Sequence, residues 1–381
     1  SNTTGNMNIA IGYDAMYGGT TTGDNNIAIG VSAGDALTSG KQNVLMGKDA
    51  GGAINSGYLN TAIGHEAGKA ITTGIANTII GWQAGLALQT GHNNVFIGRE
   101  AGKGVTVTVQ NVIAIGHGAA TGVMTTGANY AIAIGYSALA ALTSGANNVA
   151  VGGNALKANN TGHENTAVGR NVLDANVDGA GNTAMGESSL TANVSGDNNT
   201  AVGANSLGST TGDGNTGFGK SAGSAITGGT YNTCVGYNAA TSAVGSTNQT
   251  VIGNATTGVA DNTVTLGNAD VTAVYMASDK GATVHCAAVV EGSSLEIKTN
   301  ISEIESPLEK ISKLRGIEFD YKETDEHSIG MVAEEVNEVF PELVSKDKDG
   351  KVQAMSYSRM TAVLLEAIKE LNQEVKELKM K

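Results

Sequence analysis

A short repeat constrains this chain more than any other feature. The pentapeptide Asn-Ile-Ala-Ile-Gly ends at Gly12 and again at Gly30. Variants of it end at Gly47, Gly64, Gly81, Gly98, Gly116, Gly135, Gly152, Gly169, Gly186, Gly203, Gly219, Gly236 and Gly253, and a shorter step closes on Val-Thr-Leu-Gly at Gly267. The spacings are 18, 17, 17, 17, 17, 18, 19, 17, 17, 17, 17, 16, 17, 17 and 14 residues. A period of this length is too short for paired-helix repeats, which need about 33 residues or more. It suits one turn of a β-solenoid, in which each coil pairs with the next.

Within a coil, the Asn-Thr-Ala-Ile-Gly piece reads as a short strand. The alternation of branched residue, Ala and branched residue predicts that Ile or Val fills the coil while Ala faces outward. An outward Ala row wants a close neighbour, which favours three chains around one axis. The closing Gly marks a corner needing positive φ or a close backbone approach. The recurring Asn is placed to form a ladder, its amide bonded to the Asn one coil away. Proline would remove ladder donors, and the repeat region has none. At a rise of about 4.8 Å per coil, sixteen coils make a rod of roughly 75 Å.

The stretch Asn60–Gly74 resembles the head repeats of trimeric autotransporter adhesins, and still more the glycine-rich repeats of phage tail fibres. The resemblance covers about residues 6–267 and implies a trimeric fibrous shaft or adhesive head. Calcium-binding nonapeptide solenoids need regular Asp and Gly positions that these coils lack. Ice-binding solenoids need two Thr on one face, whereas adjacent threonines of a strand point to opposite faces. Trp82, the tyrosines Tyr13, Tyr58, Tyr130 and Tyr136, and the histidines His65, His92, His117 and His163 are scattered along the coils. Exposed aromatics can stack on sugars, but the plainer reading is that they decorate individual coils. None of these histidines sits in a metal-ligand cluster, so no metal or other cofactor is expected.

Composition divides the chain at about residue 291. Fifty of its 54 glycines precede that point and both prolines follow it. Residues 1–290 carry 9 Lys and Arg against 15 Asp and Glu, a net of −6; residues 291–381 carry 13 against 20, a net of −7. Neither part has the basic stripe that nucleic-acid binding requires. No apolar run reaches about 18 residues, so no membrane insertion is expected. The chain begins without Met or a signal peptide and reads as a fragment or processed product. Cys234 and Cys286 read as small buried side chains rather than a disulfide framework.

Residues 1–267 are thus the repeat shaft, 268–292 a β junction, and 293–381 a small α+β domain. In the last, Leu308, Ile311 and Leu314 have helical spacing before a strand at Ile317–Tyr321. A strand end at Ile329–Gly330 precedes a helix burying Val332, Val336 and Val339, which stops at Phe340–Pro341. A hairpin turns at Asp349–Gly350. The final helix places Leu364, Ile368, Leu371, Val375 and Leu378 at steps of 4, 3, 4 and 3. This heptad seam predicts a coiled coil over 361–381, with self-association as its purpose.

The spaced pieces Ser293…Lys298, Ile329-Gly330…Glu335-Val336, Phe340–Val344 and Ala367–Leu371 resemble the C-terminal intramolecular chaperone domain of phage tail spikes, fibres and endosialidases. The resemblance covers about residues 291–381. It implies a domain that trimerises, nucleates the upstream β-fibre and then cuts itself off. The implied scissile bond is Gly292–Ser293, with Ser293 as nucleophile and Lys298 as base. The chemistry is coherent, since a serine hydroxyl needs a base and a lysine serves as one when its pKa is lowered. Ser294 fits the family's pattern. Glu296 departs from it, standing where Arg is favoured, and a carboxylate there works against a neutral lysine. An uncut assembly domain is the alternative. Glu334 and Glu335 match the family's acidic helix, as interface residues before acid–base groups.

The expected whole is a virion tail fibre outside the cell, assembled in the host cytoplasm. Its expected partners are two further copies, other tail components, and a host surface glycan or protein receptor. A bacterial surface adhesin built from the same modules is the rival. A glycan-degrading spike would need a paired-carboxylate cleft, and no inserted domain holds one. No activity on external substrates is expected.

Overall fold

The computed structural model describes residues 4–106, 108–272, 274, 298–321, 327–347 and 349–380. They fall into two compact units divided at Gly281–Ala282. The first unit is the solenoid. Sixteen three-residue strands, β1 (Ile9–Ile11) to β16 (Val264–Leu266), form one parallel sheet in strict sequence order. Register is in step along it: Thr61, Ala62 and Ile63 face Thr78, Ile79 and Ile80 of the next coil. Hydrogen bonds run both ways, since Thr61 N–H donates to the Asn77 carbonyl and Gly64 N–H to the Met46 carbonyl.

Which face is inside is the reverse of the expectation. The middle residue of the strand fills the coil: Ala28, Ala62, Ala133, Ala150, Ala167, Ala184 and Ala201 are fully buried. The flanking branched residues, such as Thr61 and Ile63 or Ile132 and Ile134, face outward and are half-covered by their neighbours along the sheet. The reason is the path of the coil, which sets this face against the opposite wall. That wall brings a second Ala, such as Ala67, and a third apolar residue, such as Ile71, into the same interior. Ala is the commonest middle residue, and a larger one, as in Leu45, Ile79 and Phe96, is accommodated in some coils.

In several coils the third and ninth residues, counting Asn as first, trade size, whereas Ala28 with Gly34, Ala62 with Gly68 and Gly217 with Gly223 are small at both places. Where the third is large, as in Leu45, Ile79 and Phe96, the ninth is Gly51, Gly85 or Gly102. A Cβ on Gly102 would lie 2.8 Å from the Phe96 ring. Where the ninth is Leu139, Leu156, Leu173 or Leu190, the third is Ala. These leucines hold left-handed φ of about 50°. That geometry costs roughly 1–2 kcal/mol for a non-glycine residue, which burial of the side chain, worth about 1.5–3 kcal/mol, offsets.

The corner glycines behave as expected. Gly81 has φ of 136°, and a Cβ there would stand 2.4 Å from the Gly98 carbonyl oxygen of the next coil.

The asparagine ladder is present and buried. Asn77 donates to Asn60 Oδ1 from its backbone N (3.1 Å) and its Nδ2 (3.0 Å), and that Nδ2 also donates to the Gly91 carbonyl at 2.9 Å. Asn94 repeats the pattern on Asn77. Sequence reasoning missed a second ladder. Asn176 donates to Asn159 at 2.7 Å and Asn193 to Asn176 at 3.0 Å, in the places that Ile54, Ile71 and Leu88 take in earlier coils. It occurs in the coils of Leu156, Leu173 and Leu190, whereas the Leu139 coil keeps Leu142 at the twelfth place.

Asn77→Ala is expected to cost about 2–4 kcal/mol, because it strands the buried Asn94 N–H and the Gly91 carbonyl, each worth about 1–3 kcal/mol when unsatisfied. Denaturant unfolding with amide exchange at Asn94 checks this; unchanged exchange there would remove the ladder's structural role.

Cys234 is buried, and burial pushes its thiol up to about 11. Cys286 lies outside the described residues.

In the second unit, helix α1 (Pro307–Ile311) is followed by the antiparallel pair β17 (Ile317–Asp320) and β18 (His327–Gly330). Helix α2 (Ala333–Val339) leads through a short 3-10 turn at Pro341–Leu343 to the hairpin β19 (Val344–Lys346) and β20 (Val352–Met355). Helix α3 (Tyr357–Met380) ends the chain. The core gathers Val336, Phe340, Leu343, Met360 and Val363, with Ile311, Leu314 and Val339 packed against it. Helical spacing singled out Ile311, Leu314, Val336 and Val339 but not Leu343, Met360 or Val363, and Val332, expected to be buried in α2, is half-buried just before it.

Candidate self-processing and assembly site

Lys298 is exposed and lines an open cleft of about 950 Å³. The cleft lies between the end of α2's extension, at Glu342 and Leu343, and the start of α3, at Ser356, Ser358 and Arg359. Local sequence explains this floor. Ser356 precedes α3, and its hydroxyl accepts from the Arg359 N–H at 3.4 Å and contacts the Ser358 hydroxyl at 3.0 Å. A serine here satisfies donors that a helix start leaves open. The Ser356 N–H donates to the Leu343 carbonyl at 2.8 Å, tying helix start to 3-10 turn. The lining is mixed: Lys298, Arg359, Ser356 and Ser358 share it with Leu343, Val344, Met355 and the carboxylate of Glu342. Ser293, Gly292 and Glu296 lie outside the described residues, so of the sequence-derived dyad only Lys298 is placed.

Two side chains that sequence reasoning passed over organise the region beside β18. Tyr357 Oη accepts the Met331 N–H at 2.9 Å. A Cβ on Gly330 would fall 2.5 Å from that hydroxyl, which accounts for the Ile-Gly pair by close approach rather than by a turn. The signal was an isolated glycine inside a strand, which marks close backbone approach. Arg315 grips Glu335 with Nη2 to Oε1 at 2.7 Å and Nε to the two oxygens at 3.1 and 3.2 Å. The hydrogen bonds and charge of Arg315 hold the Glu335 carboxyl below its usual value. Glu335 is therefore an ion-pair partner, not a carboxyl poised to donate a proton. Glu334 is exposed.

Helix α3 has two apolar faces. Met360, Val363 and Ala367 are buried against the unit's own core. The heptad seam points elsewhere: Leu364, Ile368, Leu371, Val375 and Leu378 are 44, 64, 47, 37 and 70% exposed. Every residue from Leu371 to Met380 is exposed. Glu370 faces back, accepting the Leu308 N–H at 2.9 Å and so capping α1. The seam is thus left uncovered by this unit while the other face is used.

Among the described residues no group of three or more His, Cys, Asp or Glu is arranged to hold a metal ion. No helix among them is long and apolar enough to cross a membrane.

Comparison with known proteins agrees with this geometry. Residues 293–345 match the family described as the chaperone of endosialidase. The chain is 35% identical over 97 residues to the long tail fiber protein Gp37 of Enterobacteria phage K3, covering 23% of this chain and 8% of that protein. It is 30% identical over 109 residues to the Gp37 of Salmonella phage S16, covering 26% of this chain and 15% of that one. Against the Gp37 of Enterobacteria phage M1 it is 34% identical over 92 residues, covering 22% of this chain and 37% of that protein. The chain therefore spans well under half the length of each of these relatives. The matched segment, these relatives and the solenoid fit a phage tail fibre with a C-terminal chaperone.

Proposed function

We propose that this chain is the solenoid shaft of a virion tail fibre joined to the chaperone that assembles it as a homotrimer. The observation that carries the reading is the uncovered seam on α3, an apolar stripe whose length and spacing call for other copies of the same helix. The outward rows of Thr, Ile and Val along the solenoid sheet supply a second face of the same kind. They replace the outward Ala row as the surface on which partner coils would pack. The seam alone does not set the copy number: Ile and Val at one core position with Leu at the other is the assortment that two-stranded coils favour. Three follows from the likeness to trimeric head repeats and to the chaperone family. Light scattering of the full chain is expected to give the mass of three copies; a dimer or monomer mass would overturn the trimer.

The logic of the pairing is kinetic. Parallel ladders spread over three chains form slowly and can misregister. A compact α+β unit that associates first sets the register from which coils close. Host attachment through a surface glycan or protein, and contact with other tail components, belong to this reading.

The chaperone releases itself by cutting Gly292–Ser293, with the Ser293 hydroxyl attacking the Gly292 carbonyl and Lys298 taking its proton. The hydroxyl adds to the carbonyl carbon, the Ser293 nitrogen leaves with a proton, and water then hydrolyses the ester. Placement of Lys298 at a cleft shared with Ser356 and Arg359 supports a lysine held beside polar groups. Intact mass of the purified chain is expected to show two fragments parted at that bond. Ser293→Ala and Lys298→Ala are each expected to leave a single full-length species. A full-length species from the unaltered, trimeric chain would sink the cleavage and leave an uncut assembly domain.

A further inference from the structure

The sixth residue of each coil follows the corner glycine and stands out from the solenoid. On five successive coils it is His65, Trp82, Arg99, His117 and Tyr136, all exposed. Because the coils stack in step, these side chains form one ridge along the stacking direction. They touch: the Arg99 guanidinium carbon lies 5.0 Å from the Trp82 ring centroid, and the His117 and Tyr136 rings are 5.5 Å apart at 44°. Trp82 remains 40% and Tyr136 58% exposed.

The carboxylates beside the ridge are engaged with neighbouring groups, including the ridge histidines, since Glu66 lies 3.8 Å from His65 and Glu100 3.9 Å from His117. Glu66 pairs with Lys69 at 2.8 Å and accepts from Gln83 Nε2 at 2.8 Å; Glu100 pairs with Lys103 at 2.9 Å. Arg99 and Lys48, which stands on the ridge one coil before His65, form no ion pair within 4.0 Å among the described residues. Five of the nine Lys and Arg of residues 1–290 lie between Lys41 and Lys103. A region of net negative charge has gathered its cations and its only Trp in one place.

Resting on the reading of host attachment through a surface glycan, we propose that this ridge binds an anionic polysaccharide lying along the stacked coils. Aromatic faces receive the apolar C–H faces of sugar rings, while Arg99 and Lys48 receive ring carboxylates, guanidinium being suited to bidentate contact. The coil rise of about 4.8 Å is close to the length of one pyranose unit, so successive side chains meet successive sugars. The ridge is not a further strip of self-contact. The outward strand rows are uniformly Thr, Val, Ile and the like, whereas the sixth position changes charge and size from coil to coil. A purely structural stack of rings would need no unpaired cation.

The single tryptophan makes the test direct, since emission excited at the red edge, where the ten tyrosines do not absorb, reports on this ridge. Tetragalacturonate, with a carboxylate on every ring, is expected to change that emission saturably. Arg99→Gln is expected to weaken binding about tenfold, in line with loss of a charge-assisted contact. Tyr136→Ala is expected to weaken it less, and Tyr237→Ala, at the same position on a distant coil, to leave it unchanged. Arg99→Lys, which keeps the charge but not the planar fork, is expected to fall between. Absence of a saturable response overturns the proposal. So does an equal response to neutral maltotetraose, a response to octathymidylate in place of the saccharide, or full binding by the Arg99→Gln chain.

Discussion

A chain carrying Ile368→Asp together with Leu371→Asp is expected to stay monomeric and to leave its solenoid unassembled. The two side chains lie on adjacent core positions of the α3 seam and are 64 and 47% exposed in the unit by itself. Each apolar side chain covered by partners contributes about 2 kcal/mol, so one seam position summed over three chains contributes about 6 kcal/mol. That alone shifts the assembly constant by about four powers of ten. Aspartate adds the desolvation of a carboxylate in an apolar seam. The unit's own core should survive, because its contribution from α3 is Met360, Val363 and Ala367 on the other face. The expected pattern is therefore specific: monomer mass by light scattering with α+β structure retained, and shaft material that aggregates. Gln373→Ala, an exposed position off the seam that bonds only Glu377, is expected to assemble normally. Normal assembly of the double Asp variant would show that the solenoid alone holds the copies together.

Gly81→Val is expected to open the solenoid locally. The position is disfavoured twice, by a φ of 136° and by a Cβ that would sit 2.4 Å from the Gly98 carbonyl. That oxygen belongs to backbone, which can move only by parting the ladder. Backbone strain of this kind costs on the order of 1–3 kcal/mol, and a forced overlap in a packed interior about 1–3 kcal/mol more. Hydrogen exchange is expected to rise at the coils on either side and fall back to normal further away, because each coil contacts only its neighbours. Gly153→Ala is the contrast. An added Cβ there meets nothing within 4 Å, so stability and exchange should be unchanged. Equal effects at the two positions would mean that the corner glycines are not what closes the coil.

The period, the corners and the asparagine ladder were legible in the sequence because each is a single-residue requirement repeated many times. A backbone that must pass within contact distance of the next coil demands Gly wherever it does so, as at Gly64 and Gly81. The inside and outside of the strand were not legible in the same way. Thr61-Ala62-Ile63 alternates, but both of its faces are apolar enough to be buried, and alternation carries no label for which face is inner. The label lies in which face meets the opposite wall, as Ala62 meets Ala67 and Ile71, and that is set by the coil's path and not by the strand. The second ladder at Asn159, Asn176 and Asn193 was hidden for a related reason. An Asn beside a Gly-rich corner carries no mark of pointing inward, and these occupy the inward place that Ile54, Ile71 and Leu88 fill in earlier coils.

At the candidate site the seam was legible, since it rests on spacing, whereas Lys298 entered through the resemblance to the chaperone family. The roles of Tyr357 and Arg315 were not, because their partners, Met331 and Glu335, are 26 and 20 residues away in sequence. Nothing local marks a hydroxyl that replaces a strand partner. The lone Gly330 was the nearest thing to a mark.

The exchange of volume between third and ninth residues divides the coils into two kinds of cassette. From Asn43 to Asn111 a glycine meets Leu45, Ala62, Ile79 or Phe96; from Asn148 to Gly196 a leucine meets Ala150, Ala167 or Ala184. Recombination that removes or duplicates whole turns inside the second stretch joins surfaces that already match, with both asparagine ladders continuing across the join. A join that sets a Phe96-type turn against a Leu156-type turn overfills one coil or hollows the next. Whole turns of the second stretch are thus interchangeable in their packing, and a shaft of this kind can change length there without a new interior having to be found.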